Sequence, residues 1–186
     1  MIAACAIYMM GKGKLKDNTV VTTVMANIGF HKAIKENGGR TEITAVGDRY
    51  VLENMLANGY NLGGEQSGHI IFTDFSTTGD GPVTALQVLS YLKRTRHKAS
   101  AITKIMTSYP QLLVNVKVAT KDGWEDNEAI KASIEEGKQQ LGENGRILVR
   151  PSGTEPLIRV MAEGPDQKEL EEICYKIADV VKAQQG

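Results

Sequence analysis

The chain has 186 residues, 41% of them apolar, with 22 basic and 22 acidic side chains and two cysteines. That length holds one large or two small domains with a buried core, and the balanced charge gives no general attraction for nucleic acid or an anionic membrane surface, so any anion site must be local. No apolar run approaches the roughly 20 residues of a membrane helix, and no basic, cleavable leader opens the chain, so a cytoplasmic protein with no membrane or nucleic-acid partner is expected.

The opening MIAACAIYMMGKGKL reads as a helix from its first residue, with no capping side chain ahead of it. This suggests a start inside a longer protein, or else a short uncapped amphipathic helix. TVVTTVM then reads as a strand, ANIGFHKAIKE as a helix closed by Gly38 and Gly39, and TEITAV as a second strand. Asp48 is expected to cap the helix DRYVLENMLAN, which Gly59 ends. YNLGGEQSGHIIFTDF carries two strands around a glycine-rich turn, and PVTALQVLSYLKR is a helix capped by Asp80 or Thr78 and opened by Pro82. This βαβαββα order predicts an α/β/α layered domain with a mixed, largely parallel sheet.

Beyond Pro110 the pattern changes. LLVNVKVA alternates as a half-exposed strand, NEAIKASIEEGKQQL is an amphipathic helix, RILVR and PLIRVMAE are strands, and QKELEEICYKIADVVKAQ is a final helix. A βαββα order of this kind predicts a smaller α+β domain with an antiparallel sheet and helices on one face. The expected domains are therefore 1–107 and 108–186. Cys5 and Cys174 lie among apolar neighbours far apart in sequence, as reduced core thiols do.

Three motifs carry candidate chemistry. In RPSGTEPLIRV, Gly153 would allow the turn, Ser152 and Thr154 would present hydroxyls, and Arg150 and Arg159 would flank them. Together with backbone N–H groups these form an anion cradle suited to phosphate, or else an ordinary hairpin whose arginines pair with Glu155 and Glu163. In GGEQSGH, Glu65 and Ser67 could meet the hydroxyls of a sugar, with His69 beside them, or the segment is a solvated turn. In AVGDRY, Arg49 sits in a first helical turn, where the helix dipole does not favour a cation; an anionic ligand nearby would explain it, as would an exposed arginine with no role. STTGDGP lacks the lysine and spacing of a phosphate-binding P-loop, and His31 and His97 have no partners at ligand spacing, so no metal ligands are expected. Neither a cluster of aspartates nor an activated serine is evident, so no catalytic residue is assigned in this chain.

With GEQSGH, AVGDRY and RPSGTEPLIRV in hand, the chain resembles the α-D-phosphohexomutase superfamily over essentially its whole length, as the third and fourth of that family's four domains. GEQSGH with VGDRYV is similar to its amino-sugar branch, whereas the phosphomannomutase and phosphoglucomutase loop more often reads GEMSGH. The resemblance implies an isomerase that interconverts glucosamine 6-phosphate and glucosamine 1-phosphate through a phosphoserine and a bisphosphorylated sugar, on the route to UDP-N-acetylglucosamine and peptidoglycan precursors in bacteria. It further implies Mg2+ and the phosphoserine in earlier domains, glucose or glucosamine 1,6-bisphosphate as activator, a hexosamine phosphate and the missing N-terminal domains as partners, and room for a homodimer of the intact protein. By the same resemblance Glu65, Ser67, His69 and Arg49 face the sugar, while Arg150, Ser152, Gly153, Thr154 and Arg159 hold the phosphate that is not transferred. The chain alone is then expected to be inactive. A part of a phosphomannomutase/phosphoglucomutase and a stand-alone phosphosugar-binding module are the rival readings.

Overall fold

Strand β1 (Thr19–Thr23) is buried at all five positions, and its alternating side chains set the layers of the first unit. Val20 joins a core with Ala6, Phe30, Ile34 and Leu62, whereas Val21 joins Val51, Met55, Tyr60 and Ile71. Successive strand residues point to opposite faces, so apolar side chains on both faces call for helices on both. Helices α1 (Ile2–Gly11), α2 (Ile28–Glu36) and α4 (Gly81–Thr95) contribute to the first core, and α3 (Asp48–Asn58) to the second.

The computed structural model describes residues 1–186 apart from the side chain of Thr103, and the chain divides into the compact units Met1–Ser108 and Tyr109–Gly186. In the first unit the sheet order is β2 (Arg40–Thr44), β1, β3 (Gly63–Gly64), β4 (Ile70–Ile71). Strand β1 runs parallel to β2 and β3, and β4 returns antiparallel to β3, which gives the mixed, largely parallel sheet expected.

The helix boundaries follow local chemistry. Asn27 accepts a hydrogen bond from the Gly29 N–H to open α2, and Asp80 does the same for the Val83 N–H at 2.9 Å to open α4. One expectation needs correction: Gly47, at φ 136°, is the N-cap of α3, and Asp48 is its first helical residue. Glycine tolerates that backbone where aspartate would be strained, and the Asp48 carboxylate still complements the helix dipole from the first turn.

The second unit has an antiparallel sheet in the order β5 (Gln111–Lys117), β7 (Leu157–Glu163), β6 (Arg146–Pro151). Val116, Ile158, Val160 and Ala162 pack with Leu170, Ile173, Ile177 and Val181, so α6 (Gln167–Gln185) covers the face to which these strand residues point. Helix α5 (Glu128–Leu141), capped by Asn127, adds Ile130 and Leu141 to the same core. The intervening residues Arg159, Met161 and Glu163 occupy the other face by period-2 alternation. There Arg146 donates to the fully buried Glu163 carboxylate.

Both cysteines are free and buried, and burial pushes each thiol up to about 11. A raised thiol pKa means that the folded state keeps a proton the unfolded chain gives up near pH 9, so this stability is complete below pH 9 and is lost as pH rises towards 11. Urea unfolding at pH 8 and pH 10.5 should show a drop in midpoint that shrinks in a Cys5→Ala/Cys174→Ala variant. An equal drop in both proteins would show that other groups carry it.

Candidate functional site

In the first unit the turn between β3 and β4 is closed by the Glu65 N–H donating to the His69 carbonyl at 2.9 Å and the Gly68 N–H donating to the Glu65 carbonyl at 3.1 Å. Gly68 takes the positive φ, 108°, that this turn requires. The preceding glycines serve packing instead. A Cβ on Gly63 would lie 2.5 Å from Met55 Sδ and 2.8 Å from Val51 Cγ1, and one on Gly64 would strike the His69 carbonyl.

This close approach fixes where Glu65 emerges. Its side chain is 11% exposed. Oε1 accepts the Gly47 N–H at 2.9 Å, and Oε2 accepts the Ser67 hydroxyl at 3.3 Å. Ser67 Oγ also lies 3.2 Å from His69 Nδ1, which stands 3.8 Å from Glu65 Oε2. Glu65, Ser67 and His69 thus form one polar cluster at the tip of the turn, with His69 57% exposed. The Gly47 bond draws the AVGDRY junction to the GEQSGH turn, a link that residues 18 positions apart do not advertise in sequence.

Arg49 stands apart from that cluster. It is 81% exposed and pairs through Nε with Glu53 Oε1 at 2.7 Å, one helical turn along, which explains a cation in the first turn of α3. The Arg49–Glu53 pair raises the arginine pKa further.

In the second unit the strand register sets Arg150 directly opposite Arg159, with Asn115 opposite Arg159 on its other side. Two guanidiniums facing each other across strands repel. Partial burial and the Arg159 charge lower the Arg150 pKa from its ordinary value. Arg159 Nη2 meets Glu155 Oε2 at 3.2 Å, but its Nε is buried without a partner among the described residues. Glu163 pairs with Arg146, so the expected hairpin pairing is met at Glu155, and Glu163 is held by a different arginine.

The turn joining β6 to β7 departs from expectation in two respects. Ser152 is 2% exposed, and its Oγ accepts the Glu155 N–H at 3.3 Å while its N–H donates to the Leu157 carbonyl at 2.8 Å, so this serine builds the turn instead of standing out from it. Gly153 closes the turn without a left-handed backbone, and nothing lies within 4 Å of where its Cβ would be. The N–H groups of Gly153 and Thr154, and the Thr154 hydroxyl, make no hydrogen bond to any described residue. Open amides in a turn between two strands that carry arginines are donors of the kind that phosphate oxygens accept from. Lys121, which the sequence did not single out, donates from Nζ to the Ser152 carbonyl at 2.7 Å.

Models of two consecutive domains match this chain: the alpha/beta/alpha domain III of phosphoglucomutase/phosphomannomutase over residues 1–109, and the C-terminal domain of the same proteins over residues 113–180. The chain belongs to the phosphoglucomutase/phosphomannomutase family. It is 56% identical over 184 residues to a phosphoglucosamine mutase of Brevibacillus brevis and 53% identical over 182 residues to one of Bacillus pumilus, covering 99% and 98% of this chain. In each case it spans only 41% of the relative's length. Among solved structures, the Aspergillus fumigatus N-acetylphosphoglucosamine mutase in complex with GlcNAc-6P and magnesium shares the fold at a TM-score of 0.80 and 22% identity, over 100% of this chain and 43% of that one. A two-domain phosphohexomutase fold is therefore shown for these residues. Among the described residues no three His, Cys, Asp or Glu side chains are grouped to hold a metal ion.

Removing the Glu65 carboxylate should strand the Gly47 N–H. Glu65→Ala is expected to cost about 1–2 kcal/mol in urea unfolding, whereas Glu65→Gln, whose amide oxygen can still accept that N–H, should lose clearly less. Equal losses would mean that the Gly47 bond contributes nothing.

Proposed function

We propose that this chain is the substrate-holding part of a phosphoglucosamine mutase, which interconverts glucosamine 6-phosphate and glucosamine 1-phosphate through a phosphoserine and a bisphosphorylated sugar. The observation that carries the reading is the pair of open amides at Gly153 and Thr154 beside the in-register Arg150 and Arg159. The choice of an amino sugar rests on the identity of 53–56% to curated phosphoglucosamine mutases.

In this reading the Ser152–Thr154 turn grips the phosphate that is not transferred. The sugar must bind in two opposite directions, so the distal site has to accept a phosphate on either end carbon. Backbone N–H groups and guanidiniums do this because they read phosphate oxygens and not the carbon that bears them. The buried, unpartnered Nε of Arg159 gains an acceptor when phosphate arrives, and the Arg150–Arg159 repulsion is relieved at the same time.

Glu65 and Ser67 meet the sugar hydroxyls. Each Glu65 oxygen already accepts one protein donor and keeps a second lone pair for a hydroxyl, so the carboxylate arrives pre-aimed. His69 Nε2 is directed away from the Ser67 contact and free to meet the sugar, whereas Arg49, apart from this cluster and paired with Glu53, reaches the sugar only by leaving that pair. Distal binding of this kind lowers a barrier by orientation, holding the reacting phosphate in line with a nucleophile. The phosphoserine, Mg2+ and the bisphosphate activator act, in this reading, with parts of the intact enzyme beyond these residues. The polypeptide carrying those parts is its first partner.

Three outcomes test the reading on the 186-residue chain. Arg159→Ala should weaken glucosamine 6-phosphate binding by about 1.5–3 kcal/mol in calorimetric titration. Gly153→Ala should leave unfolding within about 0.5 kcal/mol of the parent yet weaken the same binding, because the added methyl covers the open amides. With magnesium and glucose 1,6-bisphosphate the chain should show no mutase turnover. An unchanged dissociation constant in both variants would return the turn to an ordinary hairpin, and equal binding of mannose 6-phosphate would remove the amino-sugar assignment.

A further inference from the structure

We infer that Lys121 is a positioning residue for the phosphate-holding turn: its ammonium fixes the Ser152–Gly153 peptide so that the Gly153 N–H faces the bound phosphate. The inference rests on the phosphate-holding reading of that turn.

A trans peptide is planar, and its C=O and N–H point in opposite directions. Lys121 Nζ holds the Ser152 carbonyl at 2.7 Å, so the N–H on the other end of that peptide, on Gly153, is turned away from Lys121. That N–H is one of the two open amides. The rest of Ser152 cannot set this orientation. Its N–H and Oγ are bonded to Leu157 and Glu155 and hold the residue in place, but rotation of the following peptide plane leaves both bonds intact.

The glycine makes the alternative accessible. Flipping the Ser152–Gly153 peptide carries Gly153 from its present backbone towards positive φ, which glycine adopts as readily as negative φ. In the flipped form the Ser152 carbonyl oxygen would face the anion and repel it. A charge-assisted bond from an ammonium is strong enough to choose between two peptide orientations of similar energy.

Lys121 is itself well anchored. The Val118 N–H donates to the Pro156 carbonyl at 3.1 Å, extending the β5–β7 pairing alongside the turn, and the Ala119 N–H donates to the Gln185 carbonyl at 2.7 Å at the end of α6. The lysine thus follows closely on a segment tied both to the residue before β7 and to the end of α6. Lysine suits the task, being a compact charge with rotatable donors that can hold one carbonyl and keep two donors spare.

The test is a titration of the 15N-labelled 186-residue chain with glucosamine 6-phosphate, following the Gly153 and Thr154 amide signals. Lys121→Met is expected to weaken binding about ten-fold and to change the Gly153 amide shift already in the free protein, with Lys121→Arg, which restores a charged donor, recovering most of both. A merely structural lysine would not move the Gly153 signal selectively. Should Lys121→Met not fold, Lys121→Gln replaces it, with the same loss expected. A parent-like Gly153 shift and affinity in the neutral variant overturns the inference, as does an equal loss in the neutral and arginine variants. If the parent chain itself shows no response at Gly153 or Thr154, it is the phosphate-holding reading that fails, and the Lys121 inference with it.

Discussion

Two guanidiniums held opposite each other across antiparallel strands are a cost that the sheet of the second unit accepts at Arg150 and Arg159. The register cannot relax to separate them. A shift of one residue would turn Ile158, Val160 and Ala162 out of the core beneath α6 and expose them. Hydrophobic burial on one face therefore imposes charge repulsion on the other, where Glu155 pairs with Arg159. The partnerless Nε of Arg159 lies on the same pair of strands as that repulsion, and the open amides lie on the turn that joins them.

The first unit works by a different constraint, close backbone approach. Gly63 and Gly64 bring β3 against α3 and the returning strand so tightly that no side chain would fit at either position. The result is that Glu65 leaves the sheet at a fixed point and reaches Gly47 at the start of α3. One carboxylate consequently ties the turn to the start of α3, and two of the three motifs become a single surface feature. In the second unit, Lys121 ties a neighbouring segment to the turn in the same manner.

Much of this was legible in the sequence, for physical reasons that differ by element. The order of strands and helices could be read because glycine, proline and capping side chains punctuate it, and because Val20 and Val21, buried on opposite faces, belong to a run buried throughout, whereas β5 alternates. The positions of the site motifs were legible because short polar residues and glycines cluster there. The length of β3 and β4 was not, since apolar flanks such as IIF continue beyond the two residues that pair. Nor was the true cap of α3, where backbone shape at Gly47 outweighs the side chain of Asp48. Lys121 was invisible for a further reason: its bond spans 31 positions and exists only once β5 and β7 are in register.

Gln66 occupies a different position in this arrangement from its neighbours. It stands at the tip of the GEQSGH turn, exposed, with no hydrogen bond to any described residue, while Gly64 and Glu65 are committed to packing and to the link with α3. A substitution at Gln66 can thus change the surface of the turn without breaking a bond that the fold uses. The turn is a mount held by its backbone and by Glu65, with one interchangeable face whose variation carries little penalty in foldability.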